Sequence, residues 1–153
     1  MHSYYDTGAL LPLYVEESFS DAVTAYVESR NEAIALNLFQ QVEMENALRL
    51  KVFRGEMDDR RCRAVLDMLR SNLEQGKLNL RAVNWIDALE EARRISRGVT
   101  AKRGCRTLDI LHVAIAAQWG CKAIVTADDR QIEAARFAGL SIVDLRNVRG
   151  KVS

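Results

Sequence analysis

The chain has 153 residues, enough for one domain with its own core and few for two of ordinary size. Hydrophobic residues make up 48% and charged residues 28%, which excludes a disordered or low-complexity chain. The 22 basic and 21 acidic residues leave a formal charge of +1, so any nucleic-acid surface must come from local clustering.

Short β-rich runs fall at 2–5 (HSYY), 33–37 (AIALN), 78–83 (LNLRAV), 122–126 (KAIVT) and 141–144 (SIVD). Between them the apolar residues take helical spacing. A first helix is expected over 9–16, with Pro12 tolerable only in a first turn. Others are expected over 19–30, 38–54, 57–75, 84–101, 107–119 and 129–138. The 38–54 helix has Val42, Leu48 and Val52 on its apolar side, and the 57–75 helix bears Cys62, Val65, Leu66 and Leu69. Gly76, Gly120 and Gly139 are expected helix stops. TLDILHVAIAAQW is apolar almost all round, so it should be buried. Strands alternating with helices predict an α/β fold with a parallel sheet covered on both faces. The two helices of 38–75 follow one another without a strand, an expected helical hairpin beside the sheet. Its apolar side can take a partner helix or, the preferred expectation, pack internally.

Cys62, Cys105 and Cys121 are odd in number and lack C-x-x-C spacing, so neither a disulfide framework nor a zinc ribbon can be built from them. Buried thiols in a reducing compartment are expected. MHSYYD has no basic head followed by an apolar run, and no stretch approaches the roughly 18 apolar residues of a membrane helix. A cytoplasmic location is therefore expected. One proline and no linker or repeat give a single domain over 1–153.

Asp6 follows the first strand and Asp128 the fourth, on the edge where ligands bind an open parallel sheet. Asp109 lies in the first turn of the 107–119 helix, and Glu43 near the start of the 38–54 helix. Each has an ordinary explanation: a helix cap for Asp128 or Asp129, a dipole partner for Asp109, a solvated residue for Glu43. Glu45 has Arg49 four residues on and reads as a surface pair, whereas Glu43 has no such cation. Four gathered carboxylates repel unless a cation neutralises them, and Mg²⁺ or Mn²⁺ suits an all-oxygen site that activates water. No Ser–His–Asp or Cys–His arrangement offers another nucleophile system.

At these residues the sequence resembles the PIN-domain family, specifically the VapC-type toxin ribonucleases of toxin–antitoxin pairs. The matching stretches are YYDTGALLPLYVEE at 4–17, QQVEMENALRLKVFRGE at 40–56, RTLDILHVAIAAQWG at 106–120 and IVTADDRQIEAARFAGLSIV at 124–143. The resemblance implies a three-layer α/β/α fold with a central parallel sheet of about five strands. It implies Mg²⁺- or Mn²⁺-dependent RNA cleavage that leaves a 3′-hydroxyl and a 5′-phosphate. It carries catalysis onto Asp6, Glu43, Asp109 and Asp128, with Asp6, Asp109 and Asp128 as metal ligands. Thr7 and Thr126 match hydroxyls that orient these acids, and Asp129 could share the last role. A small antitoxin carrying an arginine or lysine into the site, and a homodimer, are implied partners. Gly8 replaces a usual serine, and Pro12 stands where many relatives have lysine.

Arg93, Arg94, Arg97, Lys102, Arg103 and Arg106 form a basic run with no acid from Ala92 to Leu108. Arg94, Arg97, Lys102, Arg103 and Arg106 are candidate RNA phosphate contacts; the alternative is a solvated basic face. Arg146, Arg149 and Lys151 form a weaker cluster. His112, three residues after Asp109, is read as a buried structural histidine in preference to a ligand. Trp85, Trp119 and the tyrosines are too scattered for a stacking platform.

Two other functions are weighed. A response-regulator-like module would need an aspartate ending the third strand and a lysine ending the last, but Asn84 and Lys122 stand otherwise. A PIN-like interaction module without activity is the second, and the presence of all four acids argues against it.

Overall fold

The computed structural model describes residues 3–149; His2 and Lys151 lie outside the described residues. The strands are β1 (Ser3–Tyr5), β2 (Ile34–Leu36), β3 (Leu78–Leu80), β4 (Ala123–Thr126) and β5 (Ser141–Asp144). All pairings are parallel. β4 lies between β1 and β5, and β2 pairs with β3. β2 runs beside β1, giving the order β3-β2-β1-β4-β5.

Alternation along the strands builds two cores. Tyr5 and Val125 face one side with Ile34 and Leu36, against helices α1 (Thr7–Leu10), α2 (Ser20–Arg30), α3 (Leu38–Phe53) and α4 (Asp59–Glu74). Tyr4 and Ile124 face the other, against α5 (Trp85–Ile95), α7 (Thr107–Gln118) and α8 (Asp129–Phe137). A period of two thus gives three layers, α/β/α. The described residues include no helix long and apolar enough to cross a membrane.

The seam between β1 and β2 is closed by a side chain. Gln40, fully buried on α3, donates to the Tyr5 carbonyl at 2.6 Å. Its backbone amide donates to the Asn37 side chain, and the Asn37 backbone amide returns a bond to the Gln40 side chain, a capping box that starts α3. Gln40→Leu should lower the unfolding free energy by about 1–3 kcal/mol, since a buried carbonyl loses its donor. Chemical denaturation measures this, and an unchanged midpoint would exclude the seam role.

Three local expectations change. The first helix begins at Thr7, because Asp6 caps it by accepting the Ala9 amide at 2.6 Å, and it tightens into a 3₁₀ turn at Leu11–Leu13, where Pro12 needs no donor. On α3 the buried face is Gln40, Met44 and Leu48, while Val42 is 66% exposed. The hairpin α3/α4 packs Met44, Leu48, Cys62, Val65 and Leu69 internally. The helix expected over 84–101 widens after Ile95 into a π-type turn at Ser96–Thr100, then ends as α6 (Ala101–Arg103). Gly98 stands in that turn against the Phe137 ring, where a Cβ would overlap it. All three cysteines are buried and free.

Candidate active site

Strand order reverses between β1 and β4, so a crevice opens beyond their carboxyl ends. α3 leaves β2 at that edge, and α7, which leads into β4, begins there. Asp6, Glu43, Asp109 and Asp128 therefore line one cleft of about 570 Å³. A second cleft of about 550 Å³, by Pro12, Ser20 and Arg61, holds none of the four.

Three of the acids also serve helix starts. Asp6 Oδ1 accepts from the Ala9 amide, and its Oδ2 accepts from the Thr126 hydroxyl at 2.7 Å. That hydroxyl accepts in turn from the Asp128 amide at 3.0 Å. Asp128 caps α8 through Oδ1, which accepts from the Arg130 amide at 2.8 Å. Asp109 Oδ2 accepts the Arg106 amide at the start of α7. Capping and site-building are thus not alternatives here, because a carboxylate has two oxygens. Asp6 is 3% exposed, and burial raises its pKa above the ordinary carboxylate value, against the opposing pull of His112, the Thr126 hydroxyl and the Ala9 amide.

Glu43 is held differently. Its Oε2 accepts from the Thr7 hydroxyl at 2.6 Å and lies 2.9 Å from His112 Nε2. His112 is buried, and its Nδ1 lies 2.9 Å from the Tyr4 hydroxyl. Burial raises the Tyr4 pKa, so the phenol keeps its proton. A carboxylate oxygen accepts, so Nε2 carries the hydrogen that meets Glu43. His112 is a buried structural residue, as expected from the sequence, and also a fixed arm behind Glu43, which was not. Its spacing from Asp109 places both on one helix face; nothing local in the sequence pairs it with Glu43.

Arg106 reaches both remaining acids. Its Nε and Nη2 donate to Asp109 at 3.0 and 3.2 Å, and Nη2 lies 3.5 Å from Asp128 Oδ2. Glu17 also lines the cleft, but Lys51 Nζ lies 2.8 Å from it. Gln131, another lining residue, has a buried Oε1 with no partner among the described residues.

Other candidates lie elsewhere. Asp129 does not line the cleft: it is largely exposed and pairs with Arg146 at 2.8 Å, so it stands apart from Asp128 despite adjacency. Arg146, the first member of the C-terminal basic cluster, also pairs with Asp144 at 2.8 Å. Arg94 pairs with Glu91 and stacks on Phe137, and Arg103 pairs with Glu133. Arg97 and Lys102 carry no ion pair among the described residues. Of the five candidate RNA contacts only Arg106 lines the cleft. Glu45 pairs with Arg49 at 3.3 Å, as its spacing predicts.

The PIN domain family model matches residues 3–137. The chain belongs to the PIN domain family. Ribonuclease VapC46 of Mycobacterium tuberculosis (strain ATCC 25618 / H37Rv) is 29% identical over 144 residues, covering 92% of this chain and 95% of that protein. The crystal structure of FitAcB from Neisseria gonorrhoeae superposes with a TM-score of 0.63 at 15% identity, over 95% of this chain and 99% of that one. That of PAE2754 from Pyrobaculum aerophilum gives 0.58 at 21%, over 94% and 84%. These two likenesses concern the PIN fold alone.

Among the described residues no three His, Cys, Asp or Glu side chains converge tightly enough to hold one ion as they stand. The donor chemistry nonetheless fits a hard divalent cation. The acids supply oxygen only, Asp6 is a buried carboxylate, and a guanidinium already bridges Asp109 and Asp128 where positive charge is needed.

Proposed function

We propose that this PIN-domain chain is a divalent-metal-dependent endoribonuclease, the VapC-type toxin of a toxin–antitoxin pair, acting in the cytoplasm. The observation that carries the reading is the shared cleft of Asp6, Glu43, Asp109 and Asp128, and the name of the 29% identical ribonuclease supports the substrate. Asp6, Asp109 and Asp128 would hold Mg²⁺ or Mn²⁺. When bound, the ion supplies activation of water and neutralises charge on the scissile phosphate. Glu43 has one oxygen tied to Thr7 and His112, which leaves Oε1 to take the proton of the attacking water. Thr126 orients Asp6, and Thr7 orients Glu43. Water adds to phosphorus as its proton passes to Glu43, the bond from phosphorus to the 3′-oxygen breaks, and that oxygen takes a proton from solvent, giving a 3′-hydroxyl and a 5′-phosphate.

A small antitoxin would block the cleft with a basic side chain, and the chain would work as a homodimer. Trp85, Ile86 and Leu89, exposed on α5, offer apolar surface for such contacts. Light scattering showing only monomer at micromolar concentration would refute the dimer.

The purified protein should cleave single-stranded or structured RNA with Mg²⁺ or Mn²⁺ and stop when EDTA is added. Undiminished cleavage in EDTA would refute metal dependence. No cleavage, together with no Mn²⁺-dependent shift in melting temperature, would make the chain an inactive interaction module.

A further inference from the structure

Arg106 is placed unlike its basic neighbours. Arg94 and Arg103 are locked on acids of α5 and α8, away from the cleft. Arg106 instead meets the two oxygens that helix capping leaves over. Asp109 Oδ2 is tied to the Arg106 backbone amide, and Asp128 Oδ1 to the start of α8. The guanidinium takes Asp109 Oδ1 at 3.2 Å and Asp128 Oδ2 at 3.5 Å, while Nε shares Asp109 Oδ2. The side chain is 64% exposed, whereas that of Asp109 is 5% exposed. It can therefore swing into solvent without disturbing α7, whose capping bond uses the backbone.

We propose that Arg106 is an exchangeable counter-ion: it bridges Asp109 and Asp128 in the cation-free protein, gives way to the divalent cation, and then binds a substrate phosphate at the cleft rim. The inference rests on the metal-dependent reading above. Two cations competing for the same oxygens are coupled, so each lowers the other's occupancy by the same factor. A guanidinium released at the rim presents a planar fork of donors that matches two phosphate oxygens. The device keeps the carboxylates neutralised before the ion arrives. It also supplies a phosphate contact once the ion is in place.

The experiment titrates Mn²⁺ calorimetrically, without RNA, into the wild type, Arg106→Gln, Arg106→Lys and Asp6→Asn. Arg106→Gln should bind Mn²⁺ about tenfold more tightly, the scale of removing one nearby unit charge from a partly solvated site. Arg106→Lys, which keeps the charge without the fork, should fall between. At saturating Mn²⁺ the KM for RNA should rise about tenfold in Arg106→Gln with a smaller change in kcat, the pattern of a lost positioning contact. Equal or weaker Mn²⁺ binding by Arg106→Gln overturns the competition, and an unchanged KM overturns the phosphate contact. If the wild type binds Mn²⁺ no better than Asp6→Asn, the metal-dependent reading itself falls, and this inference with it.

Discussion

Asp6→Asn should abolish RNA cleavage and, in EDTA, raise the melting temperature. The two effects share one cause. Asp6 is buried at 3% exposure, and burial raises its pKa. A carboxyl whose pKa is raised in the folded state stabilises the fold while it is protonated. That contribution is present below the ordinary carboxylate pKa and is lost as pH rises through the raised value. At neutral pH without a cation the wild type therefore carries a destabilising charge that the amide lacks. The amide can still accept the Ala9 amide with its oxygen, and its NH₂ can face the Thr126 hydroxyl. For a chain of this length each kcal/mol gained raises the melting point by about 2–4 °C. Mn²⁺ should then raise the melting temperature of the wild type and leave that of Asp6→Asn unmoved. Cleavage should fall by at least about a hundredfold. The difference between the two proteins across pH 4–7 isolates Asp6 from groups with the opposite sign, such as Asp144, whose pKa Arg146 lowers through a hydrogen bond. An Asn variant that melts lower throughout would show that the carboxylate is structural and not held at a cost.

What the sequence made legible follows from which signals are local. Strand faces are a matter of neighbours in sequence, so Tyr4 and Tyr5 part to opposite cores as alternation requires. Helix starts are also local: Asp128 is legible as the cap of the last helix, although the cap by Asp6 moves the first helix from its expected start at residue 9 to Thr7. The same acids could be placed at the crevice because strand ends have a fixed relation to it. Pairings between distant elements leave no such trace. The basic run before Asp109 reads as free charge along the chain, yet Glu133 takes Arg103 from α8, while Arg94 pairs locally with Glu91 one turn before it. Asp129 looks equivalent to Asp128 until Arg146, from beyond β5, claims it. Val42 fits an apolar stripe as well as Met44 does, and only the position of α3 against the sheet decides between them. The Gln40 bond that joins β1 to β2 is likewise invisible, because glutamine in a helix has no burial signature of its own.

His112 is the residue on which sequence and structure differ most in meaning. His112→Ala should lower stability by about 2–4 kcal/mol, since it opens a cavity and takes from the buried Tyr4 hydroxyl its imidazole partner. It should also lower kcat by about 10–100-fold with KM little changed, the size typical of partners that hold a reactive group in place. Stability loss alone does not predict that split, because folded molecules would retain a normal turnover. The contact to Glu43 does predict it. Glu43 projects from α3, and only the Thr7 hydroxyl and His112 hold its Oε2 among the described residues. Without the imidazole the carboxylate keeps one tether, so its free oxygen no longer has a fixed position. Two further variants separate packing from positioning. His112→Gln restores an N–H toward Glu43 and should recover part of kcat. His112→Phe fills the space and keeps ring contacts with Tyr4 and Phe39, so it should recover stability but not kcat. Tyr4→Phe removes the hydroxyl that holds His112 Nδ1, and should give a milder form of the same loss. Wild-type kcat in folded His112→Phe would leave His112 as core packing and remove the arm behind Glu43 from the mechanism.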